Sequence, residues 1–239
     1  MHESQLHEVN SFITLTYNNT HLPKDGGLDV THWQKFAKRL RKHSGPFRFY
    51  HCGEYGDTNQ RPHYHAAIFG LDFSGDREIW EQKEDRITYI SESLSNVWGQ
   101  GFCTVGDLTW SSAAYVARYI LKKQKADQET YIRVSEESGD AWLVKPEYTT
   151  MSRRPGLGSG WIKKYKSDVF PLDYVVNDKG RKMRTPKFYD QFLTDEEKES
   201  VKIKRRKAAE KYSYDQCPDR LAVRERVQKA RQSQLRRNL

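Results

Sequence analysis

The sequence predicts an α+β fold in which one antiparallel sheet carries helices packed against it. Segments rich in β-branched and aromatic residues recur through the first half of the chain. Two of them, residues 47–55 and 63–71, are joined only by the turn-rich GDTNQRP, which most simply makes an antiparallel hairpin. Two longer segments repeat apolar residues at helical spacing. Hairpins interrupted by helices favour a sheet with helices on it over an alternating parallel arrangement.

Residues 11–17, SFITLTY, read as the first strand, with Ile13, Leu15 and Tyr17 on one face. The Asn, Pro, Asp and Gly of NNTHLPKDGG mark a loop. VTHWQKFAKRLRKH then reads as a helix: Trp33, Phe36, Ala37 and Leu40 fall at i, i+3, i+4 and i+7, and Asp29 or Thr31 can cap it. Its other face carries Lys35, Lys38, Arg39, Arg41 and Lys42. SGP ends the helix, and FRFYHCGEY and HYHAAIFGL form the hairpin. Residues 85–98 read as partly helical, with Ile90, Leu94 and Val97 on one stripe. GFCTVGDL, residues 101–108, reads as a fourth strand, and SSAAYVARYILKK as a second strong helix opened by a serine cap.

These elements make residues 1–125 the expected core. Residues 126–194, with short strands around 131–150 and the basic, Gly-rich loop MSRRPGLGSGW, are expected as a basic extension on or beside it. Residues 195–239 are helix-prone and hold most of the excess positive charge. They read either as a solvated, partly disordered helical tail or as a non-specific nucleic-acid arm.

Composition narrows the function. The net charge is +9 and 31% of residues are charged, with a mean hydropathy of -0.93. No apolar run approaches the roughly 20 residues needed to cross a bilayer, and MHESQLHEVN has no signal pattern. Cys52, Cys103 and Cys217 are an odd number without metal-like spacing, which argues against a disulfide framework. Basic charge together with 13% aromatic content fits a polyanion partner, nucleic acid first.

Two constellations carry chemistry. His63 and His65 alternate on a strand and point to one face, where both imidazoles can reach one divalent ion. Glu54, across the hairpin, is the nearest carboxylate for a third ligand. Such a set suits Mg²⁺ or Mn²⁺, and also Zn²⁺. Surface or structural histidines would show the same H-x-H spacing. Tyr115 and Tyr119 lie four apart on the second helix, and Lys122 joins their face. The opposite side offers Ala113, Val116, Ala117 and Ile120 to the core, although paired tyrosines also pack in cores. A divalent ion, a phenol and a lysine suit attack on a phosphodiester. The ion polarises a phosphate oxygen, the phenolic oxygen forms a phosphotyrosine, and the lysine offsets phosphate charge or lowers the phenol pKa.

FITLTYNNTHLP, CGEYGDTNQRPHYHAAIFG and AAYVARYILKK, in this order, resemble the three motifs of HUH endonucleases. More closely they resemble the replication initiator proteins of Microviridae, small circular single-stranded DNA bacteriophages, especially the gokushovirus group. MSRRPGLGSGW and DYVVNDKGRKMRTPKFYD resemble that group too, so the resemblance covers about residues 10–190. It implies an HUH-like antiparallel sheet flanked by helices, and rolling-circle replication: nicking at a phage origin, retention of the 5′ phosphate on tyrosine, then joining. By position it implies His63 and His65 as ligands of Mg²⁺ or Mn²⁺, Tyr115 and Tyr119 as nucleophiles and Lys122 as the motif lysine. Glu54 as third ligand rests on the hairpin geometry. Arg61, Arg118, Lys123, Arg153 and Arg154, flanking these motifs, are the expected DNA contacts. Tyr119, nearer Lys122, is the expected first nucleophile. The implied partners are single-stranded origin DNA and a host helicase and polymerase, with no membrane, in the cytoplasm of a bacterial host. Family members commonly carry a cysteine-containing segment before this core, whereas Met1 here lies close to the first strand. A transposase or relaxase of the same chemistry, a non-catalytic single-stranded DNA binder, and a zinc hydrolase built on His63, His65 and Glu54 are the competing readings.

Overall fold

The computed structural model describes residues 1–56, 59–83, 86–123, 131–135 and 138–234, the side chains of 118–123 and 232 excepted. The chain forms two compact units, Met1–Leu157 and Gly158–Leu239.

The first unit is built on β1 (Asn10–Thr16), α1 (Val30–Ser44), β2 (Arg48–Tyr55), β3 (Pro62–Phe69), β4 (Arg77–Lys83), β5 (Arg86–Ser91), α2 (Glu92–Trp98), β6 (Cys103–Asp107), α3 (Trp110–Lys123), β7 (Ile132–Val134), β8 (Ala141–Leu143) and β9 (Tyr148–Met151). Seven strands form one antiparallel sheet in the order β4-β5-β6-β1-β3-β2-β9. β7 and β8 pair separately. The sheet is the predicted one, and β2 and β3 are the predicted hairpin, Glu54 directly opposite His63. β9 comes from beyond residue 125 and adds an edge strand against β2.

Alternation splits the sheet into two faces. Ile13, Leu15, Tyr17, Tyr64, Ala66, Ile68 and Val105 point to one face and are buried with Trp33, Phe36, Ala37 and Leu40 of α1 and Leu94, Val97 and Trp98 of α2. Full burial of each large side chain contributes about 1.5–3 kcal/mol before entropy is counted. The α1 stripe is the one its spacing predicts, and Asp29 caps it by accepting from the Thr31 N–H at 2.9 Å. The Tyr64 hydroxyl donates to the Asp29 carbonyl at 2.9 Å and lies 2.8 Å from the Tyr17 hydroxyl, so polar groups within this core are paired.

Two elements differ from expectation. Residues 86–91 form a strand, not a helix, and pair with a further strand, β4, that the sequence pattern does not reveal. The helix in this region is confined to Glu92–Trp98 and is capped by Ser91, whose hydroxyl accepts from the Leu94 N–H. In α3 the cap is Thr109, one position before the helix, and Ser112 answers it: Thr109 Oγ1 accepts from the Ser112 N–H at 3.1 Å and Ser112 Oγ from the Thr109 N–H at 2.9 Å.

The second unit holds α4 (Ser159–Val169), the hairpin β10 (Tyr174–Val176) and β11 (Lys182–Arg184), a 3₁₀ segment Lys187–Phe192, α5 (Asp195–Glu210) and α6 (Pro218–Ser233). Ile162, Val169, Phe170, Val175, Tyr189, Leu193 and Val201 form its core. α5 opens with a reciprocal capping box between Thr194 and Glu197. α6 is exposed along its described length. No helix among the described residues is long and apolar enough to cross a membrane.

Candidate functional site

The face opposite α1 carries the candidate site. β3 turns His63 and His65 to it, β2 turns Cys52 and Glu54, and β1 turns Phe12, Thr14 and Thr16. α3 lies over one end of this face, packing on β2, β3 and β9. Phe12, Cys52, Tyr115 and Val116 form a small apolar cluster there.

That packing corrects the expected orientation of α3. Val116 is buried as predicted, but Ala113 is only half-buried and Ala117 is exposed, and Tyr115, assigned to the outward face, is 6% exposed. The rotation follows from size: an aromatic ring fills the space above Phe12, 6.5 Å between ring centroids, where alanine would leave a void.

It also brings Tyr115 to Glu54. The phenol donates to Glu54 Oε1 at 2.8 Å, and His65 Nε2 lies 2.7 Å from the same oxygen. The rings of His65 and Tyr115 meet edge to face at 5.2 Å, and those of His63 and His65 are 6.3 Å apart. Each histidine is held from behind by a threonine: Thr14 Oγ1 is 2.9 Å from His65 Nδ1, and Thr16 Oγ1 is 3.0 Å from His63 Nδ1. A hydroxyl can donate or accept, so it fixes the ring in either tautomer while Nε2 faces the site. Burial, with His65 beside it, lowers the pKa of His63 to about 4, so this imidazole is neutral at neutral pH, as a ligand must be.

Does this donor set fit a divalent ion? As placed, Glu54 turns Oε1 to His65 and Tyr115, and no three His, Cys, Asp or Glu side chains among the described residues close around one point. Glu54 Oε2, however, is buried without a hydrogen-bond partner. A buried carboxylate oxygen left unsatisfied is costly unless something supplies positive charge. Two imidazoles and this oxygen fit an ion that takes mixed nitrogen and oxygen ligands.

The other candidates are dispersed. Arg61 donates to the Tyr17 carbonyl at 2.8 Å and to Asn19 Oδ1 at 2.6 Å, pinning the loop after β1. Arg153 and Arg154 are exposed on the turn after β9. Arg118, Tyr119, Lys122 and Lys123 lie on the last turns of α3, and their side chains fall outside the described residues. Sequence reasoning missed Thr14 and Thr16, although the alternation in FITLTY that sends Ile13 and Leu15 to the core sends both threonines to the histidine face. It also missed Gly56, where an added Cβ would come within 2.9 Å of His63 Nε2.

The fold and site thus define a sheet-based phage replication module: residues 10–124, from β1 through α3, match the family model of replication-associated protein ORF2. The chain belongs to the Microviridae-type replication-associated proteins. It is 31% identical over 235 residues to replication-associated protein VP4 of Bdellovibrio phage phiMH2K, covering 91% of this chain and 71% of that protein. It is 30% identical over 220 residues to replication-associated protein ORF2 of Spiroplasma virus 4, covering 84% and 65%. With replication-associated protein ORF4 of Chlamydia phage 1 it shares 37% identity over 131 residues, or 51% of this chain and 32% of that one. No solved structure matches the chain.

Proposed function

We propose that this chain is a rolling-circle replication initiator that nicks and rejoins single-stranded origin DNA through a covalent 5′-phosphotyrosine. The observation that carries the reading is the shared Glu54 oxygen, which takes hydrogen bonds from Tyr115 and His65 at 2.8 and 2.7 Å. It sets a phenol beside the paired imidazoles that the chemistry requires. Membership in a replication-associated family supports the same reading.

His63, His65 and Glu54 would hold a divalent ion, Mg²⁺ or Mn²⁺, and when bound it would draw charge from a phosphate oxygen. Glu54 accepts the phenolic proton of Tyr115 and orients its oxygen toward the phosphodiester. Attack forms the O–P bond to tyrosine and releases the 3′ hydroxyl of the upstream strand as leaving group. A free 3′ hydroxyl attacking the phosphotyrosine reverses the step, so strands rejoin without an energy source. Tyr119, one helical turn further along α3, is the second nucleophile and Lys122 the cation near the phosphate. Arg153 and Arg154 contact the DNA backbone. The host polymerase extends the released 3′ end in the bacterial cytoplasm, with a host helicase opening the duplex.

The test is a labelled single-stranded origin oligonucleotide incubated with the protein and Mn²⁺ or Mg²⁺, then resolved on a denaturing gel. A covalent adduct is expected, lost on chelation, in His63→Ala/His65→Ala and in Tyr115→Phe/Tyr119→Phe. An adduct that persists in the double tyrosine variant rules out these nucleophiles, and cleavage with no adduct rules out the covalent mechanism.

A further inference from the structure

The histidine face is covered only where α3 lies, on β2, β3 and β9. Over β1, β6 and β5 the same face is open. Thr14, Thr16, Thr104 and Thr88 are half-buried there, while Ile13, Leu15 and Val105 on the opposite face are fully buried. Beyond them stand two large aromatic side chains in solvent: Trp80 is 58% exposed and Phe102 46%. Their ring centroids are 5.3 Å apart.

The register ties this pair to the site. Phe102 immediately precedes β6, and alternation with the buried Cys103 turns it to the histidine face. The Phe102 carbonyl accepts from the Thr16 N–H at 2.8 Å, and Thr16 is paired on its other side with His63. Phe102, Thr16 and His63 therefore form one row across three adjacent strands, about 10 Å from first to last. Trp80 sits at the register irregularity of β4, between Ile79 and Glu81. Such a bulge re-aims a side chain, and this one brings the indole to Phe102.

We propose that Trp80 and Phe102 are a stacking platform for unpaired bases of the DNA strand whose backbone is delivered to His63 and His65, an inference that rests on the nicking reading above. The rest of the unit buries its aromatics in clusters, as with Trp33, Trp98 and Phe36. Two rings held against each other in solvent, in the same row as a candidate ligand, offer flat π faces at the spacing of a few nucleotides. Every base has a π face, so stacking of this kind accepts any sequence but requires bases that are not already stacked in a duplex. The platform thus selects single strands and feeds them along the threonine-lined floor to the histidines.

The test measures binding of the full chain in EDTA, where no cleavage occurs, to a labelled single-stranded oligonucleotide and to its duplex by fluorescence anisotropy. Trp80→Ala/Phe102→Ala is expected to weaken single-strand binding about tenfold or more and leave duplex binding unchanged, and Trp80→Phe/Phe102→Tyr to restore it. Abasic sites in the oligonucleotide should weaken wild-type binding by a similar factor and the double alanine variant hardly at all. Unchanged single-strand affinity, or an equal loss on both substrates, overturns the platform. The two readings fail separately: selective loss of affinity in a protein that forms no adduct sustains the platform without the nicking, and full affinity in a variant of an adduct-forming protein does the reverse.

Discussion

At the scale of the residue, the site depends on side chains that touch no substrate. Thr14 and Thr16 hold the far nitrogens of His65 and His63, and partners of this kind are worth about 10- to 100-fold in metal affinity or activity. Thr14→Val/Thr16→Val keeps the shape and removes both hydroxyls, so adduct formation should fall by about that factor while the melting temperature changes little. Activity at the wild-type level would sink the positioning role. The same histidines set a pH response. Burial is the main cause that lowers His63 to about 4 and holds His51, buried against Trp33, well below its ordinary 6.5. Between pH 6.5 and about 4 the unfolded chain binds protons that the folded chain refuses, so stability must fall as pH drops through that window. Urea midpoints at pH 7, 5.5 and 4.5 should decline in that order. His51→Phe, which keeps a ring against Trp33, should flatten the decline; a flat wild-type profile would show that neither imidazole is held neutral.

At the scale of the element, what was legible followed from burial. β1, β2, β3, β6 and α1 alternate or repeat because one side of each meets a core, and that pattern is written in Ile13, Leu15, Tyr64, Ile68 and the α1 stripe. β4 was not legible because it is an exposed edge: REIWEQK carries charge on both faces and its side chains are largely in solvent, so no period-2 signal is imposed. Ile90, which lies in β5, continued the Leu94 and Val97 stripe by coincidence and made the region read as helix. The facing of α3 was illegible for the opposite reason. Its apolar residues surround the helix, and only the shape of Phe12 and Cys52 beneath it selects Tyr115 and Val116. The proximity of Glu54 to the histidines was legible, since a hairpin register fixes it; the Tyr115–Glu54 bond depended on that helix rotation. Gly101 is the backbone counterpart. Its φ is +149°, and a Cβ there would meet the Thr16 carbonyl and the Asn18 amide. Gly101→Ala should therefore cost more than about 1 kcal/mol by denaturant unfolding and impair adduct formation, because Thr16 positions His63. Gly75→Ala, with open space around it, is the control expected to be near neutral.

At the scale of the whole molecule, charge counting has to be separated from charge use. The basic C-terminal segment reads as an arm for nucleic acid, yet Arg205 within it is spent on structure. Its guanidinium donates to both oxygens of Asp173, at 2.7 and 2.8 Å, and to both of Asp190, at 2.7 and 2.9 Å. Those partners lie 32 and 15 residues away in sequence, which is why composition could not reveal the clamp. The two carboxylates raise the pKa of Arg205 further, while Asp173 is held below its ordinary value chiefly by the hydrogen bond from Arg205. The clamp ties α5 to the segments after α4 and in Lys187–Phe192, beside the core of Val169, Tyr189 and Val201. Lysine cannot reproduce two bidentate forks, so Arg205→Lys should behave nearly as badly as Arg205→Ala. The guanidinium is 37% exposed, so solvent screening limits the expected loss to about 1–2 kcal/mol. Because each compact unit has its own core, that loss should stay local. Hydrogen exchange of the full chain should show α5 amides opening about tenfold faster in Arg205→Ala, with β1 and β3 unchanged and adduct formation intact. Uniform acceleration across both units would mean that Arg205 supports the fold as a whole; no acceleration in α5 would mean that the clamp is a surface ion pair of no consequence.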